Sequence, residues 1–313
     1  MITRETIIKE LIKNGYARKN GSRIWDISNR SFRYINPEMA KGFLRLREHP
    51  RYKTNIMDAE IKLLKDNSPH FLKEFENKSF NLVDMGCADG TKSIEIISSL
   101  PKSMKIRYCP VSINDYLVNL ALDNVKKKKF SHVLEYSPQL SSDFESLDQV
   151  SSALRNNKYQ KNALLLLGSL LASFEINDYL FRLSRSMFGG DVLIIGNGIR
   201  KGQRFANLET YKSPVFNEWL IHLMRQLGFK DEEVQYDARF ENNRLEGFYK
   251  VKTDKTIASS GKKVEFKAGD EVVVVFQYKL YANELKDFCS KYFEKVELVE
   301  DPAEEYAIVK CVK

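Results

Sequence analysis

Residues 81–93 read Asn-Leu-Val-Asp-Met-Gly-Cys-Ala-Asp-Gly-Thr-Lys-Ser, which predicts an apolar strand, a tight turn of small residues and the start of a helix. Glycines in such a turn let the backbone come close to a ligand, as nucleotide-binding turns require. The spacing is not the dinucleotide pattern G-x-G-x-x-G, because Gly86 is followed by Cys87-Ala88-Asp89-Gly90. An ordinary strand–turn–helix connection is the alternative, since Gly and Asp turns are common at such junctions.

Length and composition describe a globular protein without a membrane segment. The 313 residues suffice for about two domains. A composition of 43% apolar and 29% charged residues is typical of soluble proteins. No apolar run approaches the roughly 18 residues of a membrane span, and the N-terminus lacks a signal-peptide core. We therefore expect a cytoplasmic protein with no membrane partner.

The four cysteines, at positions 87, 109, 289 and 311, are scattered and show no C-x-x-C spacing. This pattern predicts no metal site and no disulfide framework. We expect reduced thiols that pack as small apolar side chains.

A formal charge of +8 raises the question of a nucleic-acid partner. The one tight basic run, residues 126–129, follows a helical pattern, and cations favour a helix C-terminus. A second basic spot, residues 18–23, surrounds the turn signal Asn20-Gly21 and predicts a solvated hairpin tip. The alternative is a tip that contacts RNA or phosphate. A nucleic-acid partner is possible on these grounds but is not favoured.

Strand and helix patterns alternate between residues 61 and 196, which is the order of a doubly wound parallel sheet. Residues 162–167 are continuously apolar, as central parallel strands are. The predicted strands are 80–85, 105–111, 131–136, 162–167 and 191–196, and the predicted helices are 61–76, 91–100, 115–127 and 177–187.

The pattern changes after Gly202. A helical stretch at 216–227 precedes two β-rich segments, 234–251 and 264–279. A helix at 283–292 then leads to two strands of hairpin type. These last two strands are predicted at 295–298 and 306–312. The order predicts an α/β protein whose nucleotide-type sheet is interrupted by an inserted α+β domain.

Short motifs along the chain carry a resemblance to a known family. The stretch 81–93 resembles the first motif of S-adenosylmethionine (SAM) methyltransferases, where the turn passes under the amino-acid end of SAM. The other matching segments, in order, are 42–44, 49–55, 60–61, 108–111, 142–144, 166–171, 194–201, 216–217, 266–270 and 279–280. Taken together, these segments are similar to the EgtD-like, histidine-specific family of SAM-dependent methyltransferases, whose type member methylates the α-amine of histidine.

The resemblance implies a Rossmann-like methyltransferase sheet formed by residues 56–201 plus 278–313, and a substrate-recognition domain formed by 1–55 plus 202–277. It also implies SAM as the cofactor. Backbone around Gly86 would hold the methionine moiety, and Lys92 would pair with its carboxylate. The alternative for Lys92 is a surface lysine on a helix.

The adenine end of SAM has its own implied residues. Asp143 would accept a hydrogen bond from the adenine amino group, and Phe144 would lie beside the ring, although Asp143 could instead cap a helix. The family holds the ribose with an Asp at the position of Ser112, and Asn114 or Asp115 could take over this role. The implied cofactor-binding residues are Gly86, Cys87, Ala88, Lys92, Ser112, Asp143, Phe144 and Gly168.

The implied substrate pocket departs from the family. The Glu and Ser with which the family reads imidazole fall on Val275 and Gln277, and the Asn that anchors the amino-acid end falls on Ser173. A pocket built for imidazole discriminates through its buried polar partners. Because Val275 replaces the Glu, we predict that free histidine is not the substrate.

Tyrosines supply the remaining implied contacts. Tyr52 matches a pocket tyrosine of the family and is the candidate catalytic residue, through a hydroxyl that hydrogen-bonds the accepting amine or a neighbouring water. Tyr34 matches another pocket tyrosine. A third family tyrosine aligns with Ala206 unless Tyr211 takes its place. The implied substrate-binding residues are Tyr34, Tyr52, Ser173, Tyr211, Val275 and Gln277.

These expectations describe a SAM-dependent methyltransferase that N-methylates an amine-bearing small molecule other than free histidine. Methylation of nucleic acid or protein, through the basic residues at 18–23 and 126–129, is one alternative. SAM binding without catalysis is a second, and an α/β module that does not bind SAM is a third. No oligomeric state is predicted.

Overall fold

The computed structural model describes residues 3–19, 21–141, 153–202, 208–259 and 261–313. The chain forms two compact units. The first consists of residues 1–49 and 205–278, and the second of residues 50–204 and 279–313.

The helices and strands of both units are numbered here in chain order. The helices are α1 (Arg4–Asn14), α2 (Pro37–Glu48), α3 (Asp58–Phe71), α4 (Thr91–Ser99), α5 (Asp115–Lys127), α6 (Ile176–Ser186), α7 (Leu208–Tyr211), α8 (Pro214–Leu227) and α9 (Ala282–Ser290). The strands are β1 (Tyr16–Lys19), β2 (Ser22–Asp26), β3 (Ser79–Met85), β4 (Lys105–Ser112), β5 (Val133–Tyr136), β6 (Gln139–Leu140), β7 (Lys161–Leu166), β8 (Val192–Gly198), β9 (Val234–Glu241), β10 (Arg244–Val251), β11 (Lys255–Ser259), β12 (Lys262–Phe266), β13 (Glu271–Tyr278), β14 (Lys295–Glu300) and β15 (Tyr306–Val312).

The second unit is built on one sheet in the order β14-β15-β8-β7-β3-β4-β5, with β6 beside the end of β4. Strands β8, β7, β3, β4 and β5 are parallel, whereas β15 runs antiparallel to both β8 and β14. Met85 lies opposite Val111 on one side and Leu166 on the other, so the carboxyl ends of the three central strands are level. The predicted parallel sheet, completed by a C-terminal hairpin, is confirmed.

The central strands are largely apolar because both faces of a parallel sheet are covered. Residues 80–85 of β3 are all buried, and so are residues 162–166 of β7. Leu64 of α3 and Ile97 of α4 contribute to the same apolar core.

Several boundaries differ from the sequence prediction. Helix α3 begins at Asp58 and ends at Phe71, with Pro69 in its last turn. A short 3₁₀ turn, Lys73–Phe75, covers the rest of the predicted helix. Strand β6 has only two residues and was not predicted, since two residues are too few to show the alternating pattern of a strand.

The first unit contains a five-stranded sheet in the order β1-β2-β13-β10-β9 and a separate hairpin, β11–β12. Strands β2 and β13 are parallel, and the other neighbours are antiparallel. Within this unit, helix α8 packs against α2. The predicted N-terminal hairpin is confirmed, with Gly21 in the turn at φ +83°.

Candidate functional site

The turn after β3 has a backbone that demands glycine at two positions. Gly86 has φ +78° and Gly90 has φ +77°, in the left-handed region that glycine adopts without strain. The N–H groups of Gly86 and Cys87 both donate to the carbonyl of Val111, at 2.9 and 3.2 Å. These two donors therefore join β3 to β4. The tight turn still leaves the Cα face of Gly86 without a side chain.

Asp84 fixes this turn from inside the sheet. Its Oδ2 accepts hydrogen bonds from Oγ of Ser93 at 2.6 Å and from the hydroxyl of Tyr108 at 3.0 Å. Burial raises the pKa of Asp84, and these two hydrogen bonds oppose that shift. Because Ser93 belongs to α4 and Tyr108 to β4, the carboxyl group ties the start of the helix to two strands.

A buried carboxylate, Glu60, lies at the carboxyl ends of the central strands. It is fully buried, its Oε1 accepts the N–H of Gly168 at 2.7 Å, and its Oε2 forms an ion pair with Lys92. A Cβ at Gly196 would overlap Oε1 of Glu60, so only glycine allows this approach. A Cβ at Gly168 would lie 2.9 Å from Nζ of Lys92. Glu60 is thus held in a cradle made by Lys92 and two glycines.

The sequence did not single out Glu60 as a site residue, although it belongs to the matching segment 60–61. Its sequence signal was an acidic residue at helical spacing from Leu63 and Leu64, on the face of α3 that is buried. Only the fold shows that this residue reaches Lys92, which lies 32 positions later in the chain.

Two tyrosines extend this polar cluster. Burial raises the pKa of Tyr306 well above its ordinary value, and the charge of Glu60 raises it further. The Tyr306 hydroxyl lies beside Glu60 and Ser169, and Tyr52 lies close enough to add to the same shift. A π-helical turn, Lys53–Met57, follows Tyr52 directly. The candidate catalytic tyrosine therefore lies in the same unit as the Glu60 cradle, within electrostatic range of Tyr306.

Lys279 lies near Ser169 of this polar cluster. Oγ of Ser169 accepts the N–H of Gly198 at 2.8 Å. A Cβ at Gly198 would lie 3.3 Å from Nζ of Lys279 and 3.4 Å from Oγ of Ser169. Lys279 is 2% exposed, and burial lowers its pKa to about 7. In the sequence, Lys279 is distinguished only as part of the matching segment 279–280.

The remaining predicted cofactor residues that the structure describes lie on the loop after β3 and at the end of β4. Oγ of Ser112 accepts the N–H of Asn114 at 3.2 Å, and Oδ1 of Asn114 accepts the N–H of Leu117 as the cap of α5. Cys87 packs against Val118 and Ala121. Ala88 has φ +48°. Asp143 and Phe144 lie outside the residues that the structure describes.

In the first unit, two predicted substrate residues touch each other. The Tyr211 hydroxyl donates a hydrogen bond to Oε1 of Gln277 at 3.1 Å, and the Tyr236 hydroxyl donates to the carbonyl of Tyr211 at 3.0 Å. Val275, on the same strand as Gln277, is buried beside Gly247, whose Cβ would lie 2.7 Å from Cγ1 of Val275. On strand β13, Val275 is therefore a buried apolar side chain, and the Gln277 amide is hydrogen-bonded to Tyr211.

An aromatic cluster links Tyr34 to Tyr211, the hydrogen-bond partner of Gln277. The ring centroids of Tyr34 and Phe43 are 5.5 Å apart, and those of Phe43 and Trp219 are 5.2 Å apart. Phe216 continues the series, at 6.5 Å from Trp219 and 4.7 Å from Tyr211. Tyr34, Tyr211, Val275 and Gln277 lie in the first unit, whereas Tyr52 and Ser173 lie in the second. The sequence analysis did not single out Trp219, because an aromatic residue on the apolar helix α8 is typical of an ordinary core position.

Two classes of site find no support in the described ranges. None of the helices described there is long and apolar enough to cross a membrane. Across the same ranges, no three His, Cys, Asp or Glu side chains cluster in a way that could hold a metal ion. The four cysteines are buried thiols.

Two of the similar solved structures are described as methyltransferases. A SAM-dependent methyltransferase from Clostridium acetobutylicum has a TM-score of 0.47 and 12% identity, over 87% of this chain and 98% of that chain. Magnesium protoporphyrin IX methyltransferase from Synechocystis, with bound S-adenosylhomocysteine, has a TM-score of 0.46 and 11% identity, over 90% of this chain and 96% of that chain. No curated protein matches the sequence significantly.

The family assignment rests on the sequence profile of one family. The profile described as histidine-specific, SAM-dependent methyltransferase matches residues 41–313, which includes the Glu60 cradle and the turn at Gly86. SAM is the cofactor of this family. The chain therefore belongs to the histidine-specific family of SAM-dependent methyltransferases.

Proposed function

We propose that this methyltransferase N-methylates an amine-bearing small molecule other than free histidine. The observation that carries the proposal is the chemistry of β13, where Val275 is buried and apolar and the Gln277 amide is bonded to Tyr211. In the family these two positions hold the Glu and Ser that read imidazole. Val275 offers no acceptor for an imidazole N–H, so a histidine ring bound there would lose a buried hydrogen bond.

The second unit is the part that we assign to SAM. Its glycine-rich turn at Gly86 and the Lys92 ammonium suit the methionine end of the cofactor. Lys92 pairs with Glu60 and, in this proposal, also binds the SAM carboxylate, because an ammonium can donate three hydrogen bonds. Because Gly168 has no side chain, the space beside the Lys92 ammonium is left for the carboxylate of SAM. Bound SAM supplies an activated methyl group on a sulfonium.

The proposed division of labour follows the two units except at residues 50–55, which belong to the second unit, and at the boundaries near residues 202 and 278. Residues 56–201 plus 278–313 would bind SAM, and residues 1–55 plus 202–277 would recognise the substrate. The Tyr52 hydroxyl would accept a hydrogen bond from the substrate amine and hold its lone pair toward the methyl group. Asp143, Phe144 and Ser112 would contact the adenosine part, and Ser173 would contact the substrate.

A methyl-transfer assay with labelled SAM tests the proposal. Free histidine should be turned over negligibly, because loss of a buried hydrogen-bonding set costs a factor of about 10⁴ or more. At least one compound of a panel of small amines should accept label. The double variant Val275→Glu, Gln277→Ser should gain histidine binding, whereas Val275→Leu, which adds no acceptor, should not. Efficient Nα-methylation of free histidine by the unmodified enzyme would overturn the proposal.

The same assay distinguishes the alternatives. SAM binding without transfer to any amine would indicate a binding protein. A nucleic-acid substrate is disfavoured by the N-terminal hairpin, where Lys19 pairs with Glu241, and Arg23 pairs with Asp270 at 2.6 Å. Nucleic-acid affinity that falls steeply with salt would contradict this interpretation.

A further inference from the structure

The first unit contains a buried cation. Arg33, in the short 3₁₀ helix Arg30–Tyr34, is 2% exposed. Its Nε and Nη2 are buried and have no hydrogen-bond acceptor among the described residues. Burial, together with the nearby charge of Arg30, lowers the pKa of Arg33 to about 9, so the group stays charged at neutral pH. A buried guanidinium is costly when its donors lack acceptors, so Arg33, as placed among the described residues, would be stabilised by binding an anion.

A second unsatisfied donor lies beside it. Cζ of Arg33 is 5.8 Å from the ring centroid of Trp219. Nε1 of Trp219 is also buried and has no acceptor in the described part of the chain. Trp219 comes from α8 and Arg33 from the segment before α2, so two separate elements place unsatisfied N–H donors in one aromatic cluster. Tyr34 and Phe43 supply apolar surface around them.

We propose that Arg33 and Trp219 form a subsite for a carboxylate group of the substrate. A guanidinium presents two parallel N–H donors that match the two oxygens of a carboxylate, and the indole N–H adds a third donor. The inference rests on the proposed function, because it assigns the carboxylate to the molecule that is methylated. It narrows the acceptor to amines that also carry an acidic group reaching this cluster.

The two tryptophans of the chain allow a direct test. In protein labelled with ¹⁵N-tryptophan, two indole N–H signals are expected, and Trp219→Phe identifies the signal of Trp219. Trp25 is the internal control, because its Nε1 already donates to Oδ2 of Asp270 at 2.9 Å. Acetate should shift the Trp219 signal saturably and leave the Trp25 signal in place. Acetamide, which has the same shape without the charge, should shift neither.

Variants at Arg33 make the test specific. Arg33→Met should weaken the acetate response by about 10-fold to 100-fold, the loss expected for a charged hydrogen-bond partner. Arg23→Met should keep the Trp219 response. An acetate response that is the same in wild type and Arg33→Met, or that moves both tryptophan signals alike, would overturn the proposal.

Thermal unfolding without ligand provides the second measurement. Arg33→Met should raise the melting temperature, because it removes an unpaired buried charge. Arg23→Met should lower it, because it leaves the buried carboxylate of Asp270 without its cationic partner, which lies at 2.6 Å. A lowered melting temperature in Arg33→Met would assign Arg33 a structural role and overturn the subsite. Binding of S-adenosylhomocysteine to the wild type and transfer of methyl to amines test the proposed function separately, since neither depends on acetate.

Discussion

Lys92 forms an ion pair with Glu60, and the Glu60 carboxylate has no exposed surface. The lysine begins the helix that follows the Gly86 turn, whereas the glutamate lies near the start of α3. Because the glutamate also accepts the N–H of Gly168, the pair connects the turn after β3 to the turn after β7. The ammonium is thereby held at the carboxyl ends of the parallel strands, where α/β folds bind their ligands.

Lys92→Ala should weaken binding of SAM by about 1 to 3 kcal/mol, the usual cost of removing a charged hydrogen-bond partner. Isothermal titration calorimetry measures the change. Lys65→Ala is the control, because Lys65 is also paired to a glutamate, Glu95, but its side chain is 54% exposed. An unchanged dissociation constant in Lys92→Ala would remove Lys92 from the cofactor site.

Glu60→Gln should lower the free energy of unfolding by about 1 to 3 kcal/mol, because the Lys92 ammonium loses its charged acceptor. The variant keeps the shape of the side chain and an oxygen for the Gly168 N–H. Urea denaturation measures the loss. A variant as stable as the wild type would show that the ion pair makes no net contribution.

Gly90→Ala should destabilise the second unit for two reasons. The residue has φ +77°, and a Cβ would lie 3.0 Å from the carbonyl oxygen of Ala121. The backbone strain costs about 1 to 3 kcal/mol, and the crowding adds about 1 to 3 kcal/mol. Gly15→Ala is the matched control, since Gly15 has φ +63° and open space around its Cβ position. Equal losses of unfolding free energy in the two variants would contradict a steric role of Ala121.

The hydrogen bond between Tyr211 and Gln277 should appear as a coupling energy. A double-mutant cycle with Tyr211→Phe and Gln277→Leu should show about 0.5 to 1.5 kcal/mol of coupling in urea denaturation. The control cycle replaces Tyr211→Phe by Tyr236→Phe, because the Tyr236 hydroxyl donates to a backbone carbonyl instead. A coupling energy no larger than that of the control would show that the bond is absent in solution.

Lys279 should make stability depend on pH. Burial lowers its pKa from 10.5 to about 7, so between these values the unfolded chain binds a proton that the folded protein does not. The free energy of unfolding should therefore rise with pH across this range, by about 1.4 kcal/mol per pH unit. Lys279→Met should remove this part of the slope in urea denaturation, and the exposed Lys102→Met should keep it. Parallel pH profiles of wild type and Lys279→Met would refute the prediction.

The sequence by itself determined the order of elements in the sheet. Apolar runs such as residues 162–167 mark buried parallel strands because both faces are covered. The small residues around Gly86 mark the turn because only glycine accepts its φ of +78° without strain. Local patterns of this kind depend on neighbours in the chain, so they can be read before the fold is known. They also sufficed to place the chain near its family.

Only the tertiary structure decided which polar groups meet. Glu60 and Lys92 belong to separate helices, and Arg33 and Trp219 are 186 positions apart, so no periodic pattern connects either pair. The sequence does not show how the N–H groups of Gly86 and Cys87 are bonded, whereas in the fold both donate to the carbonyl of Val111 on the neighbouring strand. Burial and hydrogen bonding are set by packing between distant segments, and this packing determines which donors remain for a ligand.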